Sequence, residues 1–119
     1  MIGTTDGSGD ATILSEGTYN GELAMVKWID GDLVDGVDAV LSVTNTGDGV
    51  DQTLLTLTNA NNDALYLTRA IVTDQAGATV TYDGTNEVYT SIPVVGRLKL
   101  VISSGGDTKT GGAVVYIEC

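Results

Sequence analysis

Val37-Asp38-Ala39-Val40-Leu41-Ser42-Val43-Thr44 decides the fold class. Val37, Ala39, Leu41 and Val43 fall on one face of an extended chain, and Asp38, Ser42 and Thr44 on the other. That two-residue period belongs to a β-strand with one buried face, not to a helix. Working outward, Glu22–Ile29 (ELAMVKWI) is a second apolar run, stopped by Asp30-Gly31. After Thr44, the turn Thr46-Gly47-Asp48-Gly49 leads into a strand expected over 50–58. Ala64–Thr73 (ALYLTRAIVT) is the longest run, its apolar face interrupted by Arg69. Ala78–Tyr82 alternates and ends in Asp83-Gly84, a pair suited to hairpin turns. Residues 88–95 hold the single proline, Pro93, which has no N–H to give a ladder and so reads as an edge or a bend. Arg97–Ser103 and Ala113–Glu118 flank the glycine-rich SSGGDTKTGG and read as a terminal hairpin.

About eight short strands separated by turn signals indicate an all-β protein, an antiparallel β-sandwich or jelly-roll-like fold. No window keeps a helical apolar period beyond two turns, and no internal repeat is visible. The 119 residues suffice for one domain, expected over 18–119. Residues 1–17 are rich in Gly, Ser, Thr and Asp, with only Ile13-Leu14 as an apolar pair, and read as a flexible N-terminal arm. The opening MIGTTDGSGD has neither a basic nor an apolar stretch of the kind a secretory signal needs, so none is expected.

Charge narrows the function classes. Sixteen acidic against five basic residues give a net charge of −11. Nucleic-acid binding draws its affinity from cationic side chains that displace counterions, so no nucleic-acid partner is expected. Anionic membranes are disfavoured for the same reason. Histidine is absent, which removes the usual general base and the commonest zinc ligand. Cys119 is the only cysteine and has no histidine to activate it, so it reads as a plain thiol at the chain end. No serine has a histidine partner, and a Ser–Lys dyad stays open by count alone, since the three lysines fall on apparent strand or turn surface. Paired carboxylates for glycoside hydrolysis exist by count, but need a cleft that a small sandwich with short loops does not supply. The chain reads as a non-enzyme, with no catalytic residues, cofactor or metal assigned.

Three features carry both a functional and a plain reading. Asp30, Asp32, Asp35 and Asp38 place four carboxylates in nine residues, a composition able to donate oxygens to calcium. The spacing departs from the EF-hand loop, and Asp and Gly in such a run equally serve local turn geometry. Trp28, Tyr66, Tyr82, Tyr89 and Tyr116 could form a sugar-stacking face, although aromatics in alternating strands more often fill the core. Arg69 and Arg97, the only arginines, sit in or beside apolar strands. They read either as interface anchors or partners of buried carboxylates, or as charges that protect a sheet edge. The paired glycines Gly105-Gly106 and Gly111-Gly112 lack the helix and lysine of a phosphate loop and read as a hairpin turn.

The run Tyr66-Leu67-Thr68-Arg69-Ala70, then Thr81-Tyr82-Asp83-Gly84, Ile92-Pro93-Val94-Val95-Gly96-Arg97-Leu98-Lys99, and the paired glycines at 105–106 and 111–112 resemble small virion proteins of tailed bacteriophages. The resemblance spans residues 64–117, about half the chain, and is to capsid decoration or cement proteins encoded beside phage capsid genes. It implies a virion structural protein on the capsid exterior, assembled in the host cytoplasm. Its implied partners are the major capsid protein and copies of itself, often a trimer or a homo-oligomer at a local symmetry axis, stabilising the expanded shell. No catalytic motif comes with it. The Asp30–Asp38 loop and the glycine-rich N-terminal segment are not features of any particular decoration family. The alternative class is a carbohydrate- or receptor-binding β module of a tail fibre or surface adhesin.

Overall fold

The computed structural model describes residues 1–44, 51–81 and 83–118, with the side chain of Ile71 also left aside. The expected turn at Thr46–Gly49, Tyr82 and Cys119 lie outside the described residues. Nine strands and no helix are found among the described residues: β1 (Ile2–Thr4), β2 (Ala11–Ile29), β3 (Asp38–Thr44), β4 (Asp51–Leu57), β5 (Ala64–Tyr66), β6 (Ala70–Ile71), β7 (Tyr89–Thr90), β8 (Ile92–Ser103) and β9 (Thr110–Glu118). All pairings are antiparallel. The order β1-β9-β2-β8-β3-β4, with β5 also on β2, makes one seven-stranded sheet, and β6-β7 form a separate ribbon.

That sheet folds on itself because β2 serves both halves. Ala11–Leu23 pair with β8, while Glu22–Ile29 pair with β9. Register shifts between Leu14 and Thr18, and again between Leu23 and Met25, bend the strand. Bulges of this kind let one strand turn a corner between two sheets. Gly21 stands at the crossing, where a Cβ would run into the carbonyl oxygen of Glu118. One layer is therefore β4-β3-β8 with the first half of β2; the other is β5, the second half of β2, β9 and β1. The result is sandwich-like.

The core lies between these layers. Val26, Trp28 and Ala113 of the second layer meet Ala39, Leu41, Leu55, Leu57 and Leu100 of the first. Trp28 is 0% exposed, and its indole N–H donates to the carbonyl of Ala60 at 3.0 Å. The alternation that opened the sequence reading holds, with Val37, Ala39, Leu41 and Val43 all buried. Ser42 is buried too, because a bulge between Leu41 and Ser42 breaks the strict period against β4.

Three expectations differ from the structure. Residues 1–17 are not a free arm: β1 pairs with β9, and residues from Ala11 onward pair with β8. The pairing uses backbone groups, which leave no mark on side-chain pattern, and Gly112 admits Met1 where a Cβ would strike its carbonyl. Second, β8 and β9 are not a hairpin, since β2 lies between them. The glycine-rich segment instead crosses from one layer to the other. Third, the long run at 64–73 splits into β5 and β6, and 78–81 contributes only the isolated bridges Thr73–Thr79 and Thr81–Glu87. Pro93 does lie within β8, in a stretch before Arg97 that no described residue of β3 pairs with.

Candidate interaction surface

The registers bring four connections to one end of the sandwich. Residues 5–10, 30–37, 58–63 and 104–109 all start or finish beside the paired strand ends Ile29–Gly112, Asp38–Ser103, Ala39–Leu57 and Trp28–Ala64. Asp6, Asp10, Asp30, Asp32, Asp35, Asp63 and Asp107 gather there with Asp38. Most of these carboxylates work as local acceptors. Asp63 takes the Asp30 amide at 2.8 Å, Asp38 takes the Asn59 amide at 3.0 Å, and Asp32 takes the Thr110 amide. Asp6 accepts from the amides of Ser8 and Asp10, which hold its carboxyl below the usual range.

Asp30 differs, because one of its side-chain oxygens is buried without a partner. Partial burial, reinforced by Asp35 and Asp63, pushes its pKa up. Among the described residues no three acidic, histidine or cysteine side chains converge as metal ligands. Amide hydrogen bonds from Asp32 to the Thr110 carbonyl and from Val34 to the Gly105 carbonyl pin the acidic loop as a crossover between layers. Its glycine-rich neighbour is pinned in turn by buried Thr5, whose hydroxyl donates to the Gly106 carbonyl and accepts from the Lys109 amide.

The two arginines do not pair with carboxylates among the described residues. Arg69 is exposed and donates to the carbonyl of Thr68 at 2.7 Å. Arg97 is half-buried and donates through Nε to the carbonyl of Ser15, while the Ser15 hydroxyl accepts from the Leu98 amide at 3.0 Å. Arg97 therefore fixes the bulge that bends β2. Sequence inspection could not find that role, because its acceptor is a backbone atom 82 residues away.

The aromatics divide. Trp28 is core and Tyr66 packs partly against it. Tyr89 is exposed and donates to Glu87 at 3.0 Å, and that carboxylate raises its hydroxyl pKa. Tyr116 stands on the outer face of the second layer, 45% exposed. There it lines a shallow groove of about 510 Å³ with Met25, Lys27, Asp63, Ala64 and Leu65. Leu65 is 58% exposed and Leu67, just beyond it, 65%. Leu67 leads into residues 67–91, whose described residues are mostly exposed, although Ala70 packs against the core. The molecule measures 49 × 32 × 23 Å. No protein-family model, curated protein or solved structure matches the chain.

Proposed function

We propose that this protein is a non-enzymatic virion structural protein that decorates and stabilises a phage capsid lattice, with the major capsid protein and copies of itself as partners. The observation that supports it most is the outer face, where exposed Leu65 and Tyr116 line a groove with half-buried Met25 and exposed Leu67 follows in the chain. Covering them gains roughly 25 cal/mol for each Å² removed from solvent. A lattice supplies such cover repeatedly, and a net charge of −11 keeps the unattached protein from associating non-specifically beforehand. Trp28 in the core removes the largest ring from any sugar-stacking face, which would then rest on the exposed Tyr19, Tyr89 and Tyr116. The site lies on the capsid exterior in this reading.

The test is antibody labelling of particles purified from the source culture, viewed by negative-stain microscopy. Label repeating over the head surface supports the proposal. Particles that remain unlabelled while the antibody still recognises the free protein overturn it.

A further inference from the structure

A cleft of about 340 Å³ opens between the two layers, lined by Met1, Ser15, Tyr19, Leu98, Val115 and Ile117. Two strand edges border it. β9 carries β1 only along Thr110–Gly112, with Met1 then exchanging hydrogen bonds with Ala113. Beyond that point no described strand pairs with the side of β9 away from β2. Across the cleft, the first half of β2 pairs with β8 on one side and with no described strand on the other. Because Ala113 turns its N–H and C=O towards β1, alternation turns those of Val115 and Ile117 towards the open side. Their side chains pack inward against the core. The first half of the edge is thus filled by this chain's own strand, and the second half is an open ladder above an apolar cleft.

From this we infer that β9 accepts an added strand from another protein, an extended segment collinear with β1 that pairs with Val115 and Ile117. The inference rests on the reading of the chain as an assembly module and names how a partner attaches. Val114 to Glu118 offers roughly 17 Å of edge. Residues of the added strand opposite Val115 and Ile117 share their face, so they drop into the cleft and must be apolar. Strand addition draws affinity from main-chain hydrogen bonds and specificity from such alternate pockets.

Charge identifies one end of that strand, the end beside Glu118, because the other abuts the Met1 ammonium group. Glu22 and Glu118 face one another directly across β2 and β9, and Glu16 adjoins the lining residue Ser15; all three are exposed. The single ion pair among the described residues, Lys99–Asp51, involves none of them. Like charges directly opposite on a sheet destabilise it. A lysine or arginine flanking the added strand relieves that opposition, whereas a second copy of this −11 chain brings more of the same sign. The occupant is therefore a strand with alternating apolar residues and a basic residue at the end beside Glu118, from a different protein.

The experiment uses the full chain and a synthetic peptide about seven residues long, alternating valine and threonine with lysine at one end. Amide hydrogen exchange is followed by NMR. At about 1 mM peptide, exchange at Val115 and Ile117 is expected to slow roughly tenfold or more. A glutamate-ended peptide is expected to do so at least about tenfold less well. Ile117→Lys is expected to abolish the effect and Thr56→Lys, exposed on β4, to preserve it. Should Ile117→Lys not fold, the residue-specific exchange in the unmodified chain decides alone. No slowing at Val115 and Ile117, equal response to both peptides, or loss with Thr56→Lys overturns the inference. So does protection of those amides in the peptide-free protein accompanied by a dimer in sedimentation, which makes a second copy the occupant. Peptide binding with unlabelled particles would instead leave this edge site standing and remove the capsid reading.

Discussion

Trp28→Phe tests the two-layer architecture through its most buried side chain. The indole is 0% exposed, and its N–H donates to the carbonyl of Ala60 at 3.0 Å. Ala60 is itself buried, and its amide donates to the Val37 carbonyl at 2.8 Å, so the Trp28 bond helps hold the 58–63 connection to both layers. Phenylalanine keeps one ring but leaves that carbonyl without its donor, costing about 1–3 kcal/mol. The lost ring area and the small void add about 1–2 kcal/mol. A total near 3 kcal/mol lowers Tm by roughly 10–18 °C for a domain of this size. Thermal unfolding followed by circular dichroism reads this directly. The exposed Tyr116→Phe is the control and is expected to stay within about 0.5 kcal/mol of the parent. A Trp28→Phe loss below about 1 kcal/mol would refute the placement of Trp28 between the layers and return it to the surface, where a sugar platform needs it.

Four further outcomes follow from the geometry. Asp30 has a raised pKa in the folded state, so the fold binds its proton more readily than the unfolded chain does, and the stability this gives is present at low pH and lost as pH rises through the folded value. Asp30→Asn is therefore expected to raise Tm at neutral pH, an advantage that shrinks in melts below about pH 4. Arg97→Met removes the donor that fixes the β2 bulge and is expected to cost about 1–2 kcal/mol in urea unfolding, with Arg97→Lys failing to restore it because the Nε donor is missing. Gly21→Ala drives a Cβ into the Glu118 carbonyl, and a cost of about 1–3 kcal/mol with faster amide exchange at the end of β9 is expected. Excising residues 72–88 and joining Ile71 to Tyr89 through Asn-Gly, a turn suited to the Ile71–Tyr89 pairing, is expected to leave the core folded with Tm changed by only a few degrees.

How much of this was legible in the residues depends on which part of the physics each element uses. The core face of β3 was legible because burial of Val37, Ala39, Leu41 and Val43 imposes a period of two. The first half of β2 was not: Ser15, Glu16, Gly17 and Thr18 form the exposed corner, and their order comes from backbone pairing and from the Arg97–Ser15 bond. A turn-rich segment announces that the chain reverses but not which neighbour it meets, so β8 and β9 looked like a hairpin although β2 separates them. The run at 64–73 misled for the opposite reason. Leu65 and Leu67 are apolar without being core, and in the proposed reading their burial awaits another molecule. For the candidate surfaces, the acidic loop was visible in sequence and proved to be pinned locally. The apolar outer face and the open edge of β9 needed the registers before they could be seen.

Hydroxyl-radical footprinting of the protein, free and on purified particles, bears most directly on the claim that its outer apolar face is made to be covered. Oxidation of Met25, Leu65 and Tyr116 is expected to fall several-fold on the particle, while the exposed Val34 at the loop end keeps its free-state rate. Equal oxidation of Met25, Leu65 and Tyr116 in both states would contradict it.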